Sequence, residues 1–285
     1  MRLLAPLSLA ATLLAASIAA AACPSPEQID RLVADWQAKR PAGPVAPDMD
    51  MTDAYCAQEM FVERLKPSLG EAVGYKAGLT AKPVQERFGA TEPARGVLLE
   101  KMLLPDGASV PANFGARPVW EADMLLVIKD EGINTAGTPE EAVRHVAAMR
   151  PFIELPDLVV APDVKLDAPL LTAINVGARA GVTGPEVPLP PTAETVKALE
   201  NVRIVATDAS GAVLAENSGA ATLGNPLNAL LWLARNLKAS GRGLRAGDLV
   251  SVGSFSPLVP PKPGQAVTVR YEGLPGTPQV SVRFE

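Results

Sequence analysis

Two carboxylates, Glu121 and Asp123, interrupt an otherwise apolar run that alternates with a period of two over residues 119–128. That spacing predicts a strand with Trp120, Ala122, Met124, Leu126 and Ile128 on one face and Val119, Glu121, Asp123, Leu125 and Val127 on the other. Both acids leave the strand on the same side. Burying neighbouring anions is costly unless a proton, a cationic side chain or a metal ion compensates. A third acid, Glu154, stands in a similar apolar segment, Phe152-Ile153-Glu154-Leu155. Three carboxylates make a hard, all-oxygen set suited to Mg²⁺, Mn²⁺ or Ca²⁺ and poorly suited to zinc. The pattern leaves two readings open: a metal centre, or acids on the solvent face of an edge strand with Glu154 capping a neighbouring element.

The segment Gly74-Tyr75-Lys76-Ala77-Gly78-Leu79-Thr80 places a lysine between glycines, ahead of a helix that Thr80 would cap. Lys76 there either meets an anionic substrate group or is a solvated turn residue. The single histidine, His145, lies among Glu140, Glu141 and Arg144 on a helix predicted over residues 138–149, where a surface position is expected. Mechanisms that depend on histidine are thereby disfavoured. A Gly-x-Ser-x-Gly elbow and a phosphate-binding loop are also missing from the sequence.

The elements that must position these groups begin with a capping box, Ser25-Pro26-Glu27-Gln28, followed by Ile29, Leu32, Val33 and Trp36 at helical spacing. A second helix is expected over residues 51–65, with Ala54, Ala57, Met60, Phe61 and Leu65 inward. From Glu71 onward short β-rich stretches alternate with capped helices, without a βαβ rhythm, which predicts an α+β fold. Residues 202–206 and 213–216 read as a hairpin, Asn225-Pro226 starts a helix ending near Gly241, and residues 266–271 and 279–284 read as closing strands. The expected organisation is a helical N-terminal region over residues 23–70 and a catalytic domain over residues 71–285.

Residues 1–22 have the composition of a cleavable export signal: one basic residue, Arg2, then an apolar run closing on Ala20-Ala21-Ala22. A periplasmic or secreted protein is expected. Its two cysteines, Cys23 and Cys56, then suggest a disulfide, the rival being lipidation at Cys23 and hence membrane attachment. A net charge of -5 with scattered basic residues argues against nucleic acid as a partner, and 4% aromatic residues against a stacking platform.

Taken together, these segments resemble the 2-keto-4-pentenoate hydratases of the fumarylacetoacetate hydrolase superfamily. Gly74 to Thr80 is similar to a G-x-K-x-G-L-T segment, Gly96-Val97-Leu98-Leu99-Glu100-Lys101-Met102 to G-x-L-x-x-x-M, and Glu121-Ala122-Asp123 to the E-A-E metal motif, with Glu154 as third ligand. Leu223-Gly224-Asn225-Pro226-Leu227-Asn228-Ala229 and the following Trp232-Leu233-Ala234 resemble the L-G-H-P-L-N-A-x-x-W-L-A helix, and Gly247-Asp248 opens the counterpart of G-D-x-x-x-T-G.

The resemblance implies a mixed β-sandwich roll, Mg²⁺ or Mn²⁺ on Glu121, Asp123 and Glu154, and a small 2-oxo acid as substrate. It further implies Lys76 and Ser254 as catalytic groups, Leu98, Asn175 and Asn225 as substrate contacts, and a homo-oligomer. Three departures stand out: Asp123 for glutamate, Asn225 for histidine, and Val252-Gly253-Ser254 where the family has Thr-Gly and a small residue. Ser254 or Ser256 would have to supply the missing hydroxyl. The expected activity is metal-dependent addition of water to an unsaturated 2-oxo acid. Decarboxylation or C–C hydrolysis on the same scaffold and a non-catalytic binding role are the alternatives.

Overall fold

The computed structural model describes residues 23–285, so the expected export signal lies outside the described residues. Helix α1 (Pro26–Gln37) starts at the Ser25 capping box and turns Ile29, Leu32, Val33 and Trp36 inward. Asp50 and Asp53 cap each other reciprocally to begin α2 (Met51–Leu69). The edge of Trp36 meets the Phe61 ring at 6.3 Å, and a disulfide joins Cys23 to Cys56. The sulfur that a lipid would occupy is thus taken by Cys56.

Thirteen strands follow, in two sheets. They are β1 (Ala72–Gly78), β2 (Ala94–Leu99), β3 (Leu103–Pro105), β4 (Ala108–Val110), β5 (Glu121–Ile128), β6 (Val146–Leu155), β7 (Ala180–Thr183), β8 (Val187–Pro188), β9 (Arg203–Asp208), β10 (Val213–Ser218), β11 (Leu249–Ser251), β12 (Ala266–Glu272) and β13 (Gln279–Phe284). The larger sheet runs β2-β1-β11-β5-β6-β7-β3, with β8 beside β6. Its two ends, β2 and β3, are separated in the chain by one 3-10 turn, Glu100–Met102, so the sheet has to curl back toward itself. The smaller sheet runs β10-β9-β12-β13-β4. The expected hairpin and closing strands are β9, β10, β12 and β13.

Helices α3 (Lys82–Phe88), α4 (Pro139–Ala142), α5 (Ala168–Ala173), α6 (Ala193–Asn201) and α7 (Pro226–Ala239) complete the α+β fold. Trp120, Met124 and Leu126 point into the main core with Val267, Val269, Leu230 and Leu233. A second core joins α1 and α2 to Val97 and Leu99 of β2 and to Leu170, Leu171 and Ala173 of α5.

Three local expectations are corrected. The helix predicted over residues 138–149 is only α4 and a 3-10 turn, Val143–His145; from Val146 the chain is strand, because pairing with β5 outweighs the helical start at Thr138. The lysine segment is the strand β1 rather than a turn, and Gly74 is required because a Cβ would lie 1.9 Å from the Leu249 carbonyl oxygen. Thr80 does not cap α3, whose N-cap is Ala81; it is buried against Gly253, which has φ +102 and no room for a Cβ beside the Thr80 hydroxyl.

Candidate metal centre and active site

Glu121 and Glu154 are directly opposite each other in the β5–β6 ladder, with Asp123 two residues along the same face. All three are buried, and one oxygen from each lies within 4.8 Å of the others. Like charges opposed across a ladder are destabilising. Burial and then Glu154 push the Glu121 carboxyl well above the usual carboxylate range. The same two causes raise Asp123 to about 7, against the opposing hydrogen bonds from Ser251 and the Met124 amide.

Asp123 is the most tightly fixed of the three. Its Oδ2 accepts from the Ser251 hydroxyl at 2.5 Å, and its Oδ1 accepts from the backbone N–H groups of Met124 and Gly253 at 2.5 and 3.2 Å. Its carbonyl accepts from the hydroxyl of Tyr271, which reaches across from the smaller sheet and also bonds the Phe152 peptide. Ser251 and Tyr271 escaped the sequence reading. A hydroxyl in the otherwise apolar strand 249–252 was the available signal for Ser251, whereas nothing local marked Tyr271.

Lys76 projects from β1 into the same cluster, paired with Glu154 Oε1 and bonded at 3.0 Å to the carbonyl of Val176. Burial alone would lower its ammonium, but Glu154, Glu121 and Asp123 together hold it above its ordinary range. One lysine cannot balance three carboxylates. Glu154 Oε2 is buried without any hydrogen-bond partner. An orphaned acceptor beside two carboxyls that resist ionisation is a donor set fitted to a hard divalent cation.

Part of the cluster lines a cavity of about 510 Å³. Lys76, Glu121 and Glu154 line it; Leu79, Val84, Phe88, Leu158, Leu171, Val176, Phe255 and Leu258 make its walls apolar, and Arg87 and Asn217 are polar groups on those walls. Ser254 and Ser256 also line it, and Ser254 Oγ donates to the Ser256 carbonyl and accepts from its N–H at 2.6 and 3.1 Å.

The three expected substrate contacts are placed elsewhere. Leu98 packs with Leu125, Val127, Ala148, Phe152 and Leu249 in an apolar cluster. Asn225 caps α7 by accepting from the Leu227 N–H and donates to the Val196 carbonyl, so both ends of its amide are engaged. Asn175 accepts from the N–H of Val97 and donates to its carbonyl, at 2.7 and 2.9 Å. None of the three lines the cavity, because each is held by backbone or core contacts. His145 is half-exposed and bonds Asp130, away from the carboxylates.

A curled mixed sheet carries a buried carboxylate trio that could hold a divalent metal ion, with a lysine beside it at an apolar cavity. The model of the fumarylacetoacetate (FAA) hydrolase C-terminal family matches residues 72–280, and the chain belongs to that family. It is 30% identical over 246 residues to the 2-keto-4-pentenoate hydratase of Paraburkholderia xenovorans, covering 84% of this chain and 89% of the relative. It is 28% identical to the 4-oxalocrotonate decarboxylase of Pseudomonas putida over 242 residues, 84% of this chain and 87% of that one. Among solved structures, the 4-oxalocrotonate decarboxylase of Pseudomonas putida G7 complexed with magnesium and adipate superposes with a TM-score of 0.78 at 28% identity, covering 91% of this chain and 95% of the other.

Proposed function

We propose that the protein is a metal-dependent hydro-lyase that adds water to a small unsaturated 2-oxo acid, as its hydratase relatives are named for doing. The observation that carries this reading is the buried, mutually repelling carboxylate trio, with an orphaned oxygen on Glu154, of which Glu121 and Glu154 line an apolar cavity. Glu121, Asp123 and Glu154 hold Mg²⁺ or Mn²⁺. A divalent ion in that place supplies Lewis-acid stabilisation of the negative charge that develops on the 2-oxo oxygen. Lys76 retains its proton at neutral pH because three acids surround it, so it presents a charged N–H to the substrate's carboxylate and can return a proton to carbon. The apolar walls exclude bulk water and accept the hydrocarbon part of the substrate. Ser254, on the wall, supplies a hydroxyl near the reacting end. Residues 1–22 act as an export leader and the enzyme works in an oxidising compartment, which the Cys23–Cys56 disulfide supports.

The test is absorbance decay of 2-hydroxypenta-2,4-dienoate with and without Mg²⁺, alongside metal content by mass spectrometry. Turnover that requires the ion, with metal and turnover both lost in Glu121→Ala, is expected. A protein that binds metal and turns nothing over sinks the hydratase reading. The overlap with the decarboxylase along 91% of the chain favours one second reading, decarboxylation of a 2-oxo diacid at the same site, which carbon dioxide release would reveal.

A further inference from the structure

We propose that Asn175 is a positioning residue that sets Lys76 through a strained turn, an inference that takes from the hydratase reading only the catalytic importance of Lys76. Asn175, Val176 and Gly177 follow α5 and adopt φ values of +57, +52 and +70. Glycine tolerates that conformation; a β-branched valine adopts it only where surrounding contacts impose it.

Backbone bonds hold the end of the turn, the Gly177 carbonyl accepting from the Asp157 N–H at 2.9 Å, and the side chain whose contacts fix its start is that of Asn175. Fully buried, it bonds both the N–H and the carbonyl of Val97, standing in for the peptide group of a neighbouring strand along β2. Two glycines make room for the turn. A Cβ on Gly96 would lie 2.7 Å from Lys76 Cγ and 2.9 Å from the Asn175 carbonyl oxygen, and a Cβ on Gly78 would lie 2.4 Å from Val176 Cγ1. The turn is therefore wedged against the lysine's own stem.

Its product is one carbonyl, that of Val176, aimed at Lys76 Nζ. An ammonium has three donors. With Glu154 as sole partner it could rotate about that carboxylate; the Val176 oxygen fixes a second direction and thereby aims the third N–H. The same valine lines the cavity, so the device that orients the lysine also forms the substrate wall beside it.

The experiment uses the full chain, labelled with ¹⁵N-lysine, and reads the side-chain ammonium signal of Lys76, identified by its loss in Lys76→Met. The wild type is expected to show a slowly exchanging signal. Asn175→Ala, and the isosteric Asn175→Asp, which sets a carboxylate against the Val97 carbonyl, are expected to lose it while circular dichroism shows a folded protein. With Mg²⁺ and substrate, both variants should lose at least tenfold in kcat, with KM and the Mg²⁺ Kd within twofold of wild type. A persisting ammonium signal in either folded variant, or an unchanged kcat, overturns the proposal. Absence of turnover in the wild type together with loss of the signal in the variants sinks the hydratase reading and leaves the positioning role standing.

Discussion

Asp123 is one methylene shorter than the glutamate of the motif it resembles, and its surroundings answer that difference. Ser251 and two backbone N–H groups hold its carboxylate in one orientation, while Glu154 keeps a free oxygen. Groups that orient a metal ligand contribute to affinity without touching the ion. Ser251→Ala should therefore weaken Mg²⁺ binding by about tenfold in calorimetry, with the fold unchanged. Wild-type affinity in that variant would show that Asp123 is fixed well enough by the peptide groups alone. Protonation offers a second check. Asp123 holds its proton to about pH 7 in the folded, metal-free protein, well above its value in an unfolded chain. The folded state then binds more protons between those two values, so this group's contribution to stability is full below the unfolded value and is lost as pH rises through about 7. Thermal unfolding of the metal-free protein against pH should show that decline in wild type and a flatter profile in Asp123→Asn. Added Mg²⁺ should raise the midpoint more at high pH than at low, since ion and proton compete for the same oxygens.

At the scale of elements, the site depends on strands that bring distant residues together. β5 and β6 oppose Glu121 to Glu154, and the parallel pairing of β1 with β11 sets Lys76 beside Ser251. The N-terminal helices reach the site indirectly: Gln58 in α2 donates to the carbonyls of Arg95 and Thr172, tying α2 to β2 and α5. Arg179, directly before β7, bridges back to α1, bonded to Asp157 and the Trp36 carbonyl and stacked 4.1 Å from the Trp36 ring. The Cys23–Cys56 bridge closes a loop with a sequence separation of 33. In the chain-entropy account a loop of that size stabilises by about 3 to 4 kcal/mol. Cys56→Ser should lower stability by about that amount in urea unfolding, with metal binding retained in the folded fraction. A change under about 1 kcal/mol would place the stability of α1 in its packing on α2 instead.

For the whole molecule, the pairing of the two cysteines and the apolar opening of the sequence concern the same question, the compartment. An export leader over residues 1–22 predicts a chain beginning at Cys23, lighter by two hydrogens when oxidised. Intact-mass measurement with and without reductant checks both at once: retention of the leader, or a mass unchanged by reductant, would contradict the exported, bridged form. No helix among the described residues is long and apolar enough to cross a membrane.

Alternation, capping and spacing are local properties, and they determined what local physics controls: the helix starts at Ser25 and Asn225, the hairpin and closing strands, and the pairing of Glu121 with Asp123 on one face of a strand. The motifs around Lys76, Glu121 and Leu223 also carried the family. Only the tertiary structure decided which residues face the cavity. Leu98 and Asn225 lie in segments that resemble family motifs and Asn175 was expected to join them at the substrate, yet contacts remote in sequence commit the three to packing, capping and a strained turn. Ser251 meets Asp123 across 128 residues and Tyr271 meets it across 148. Separations of that length leave no periodic trace, because sheet register rather than local propensity brings the partners together.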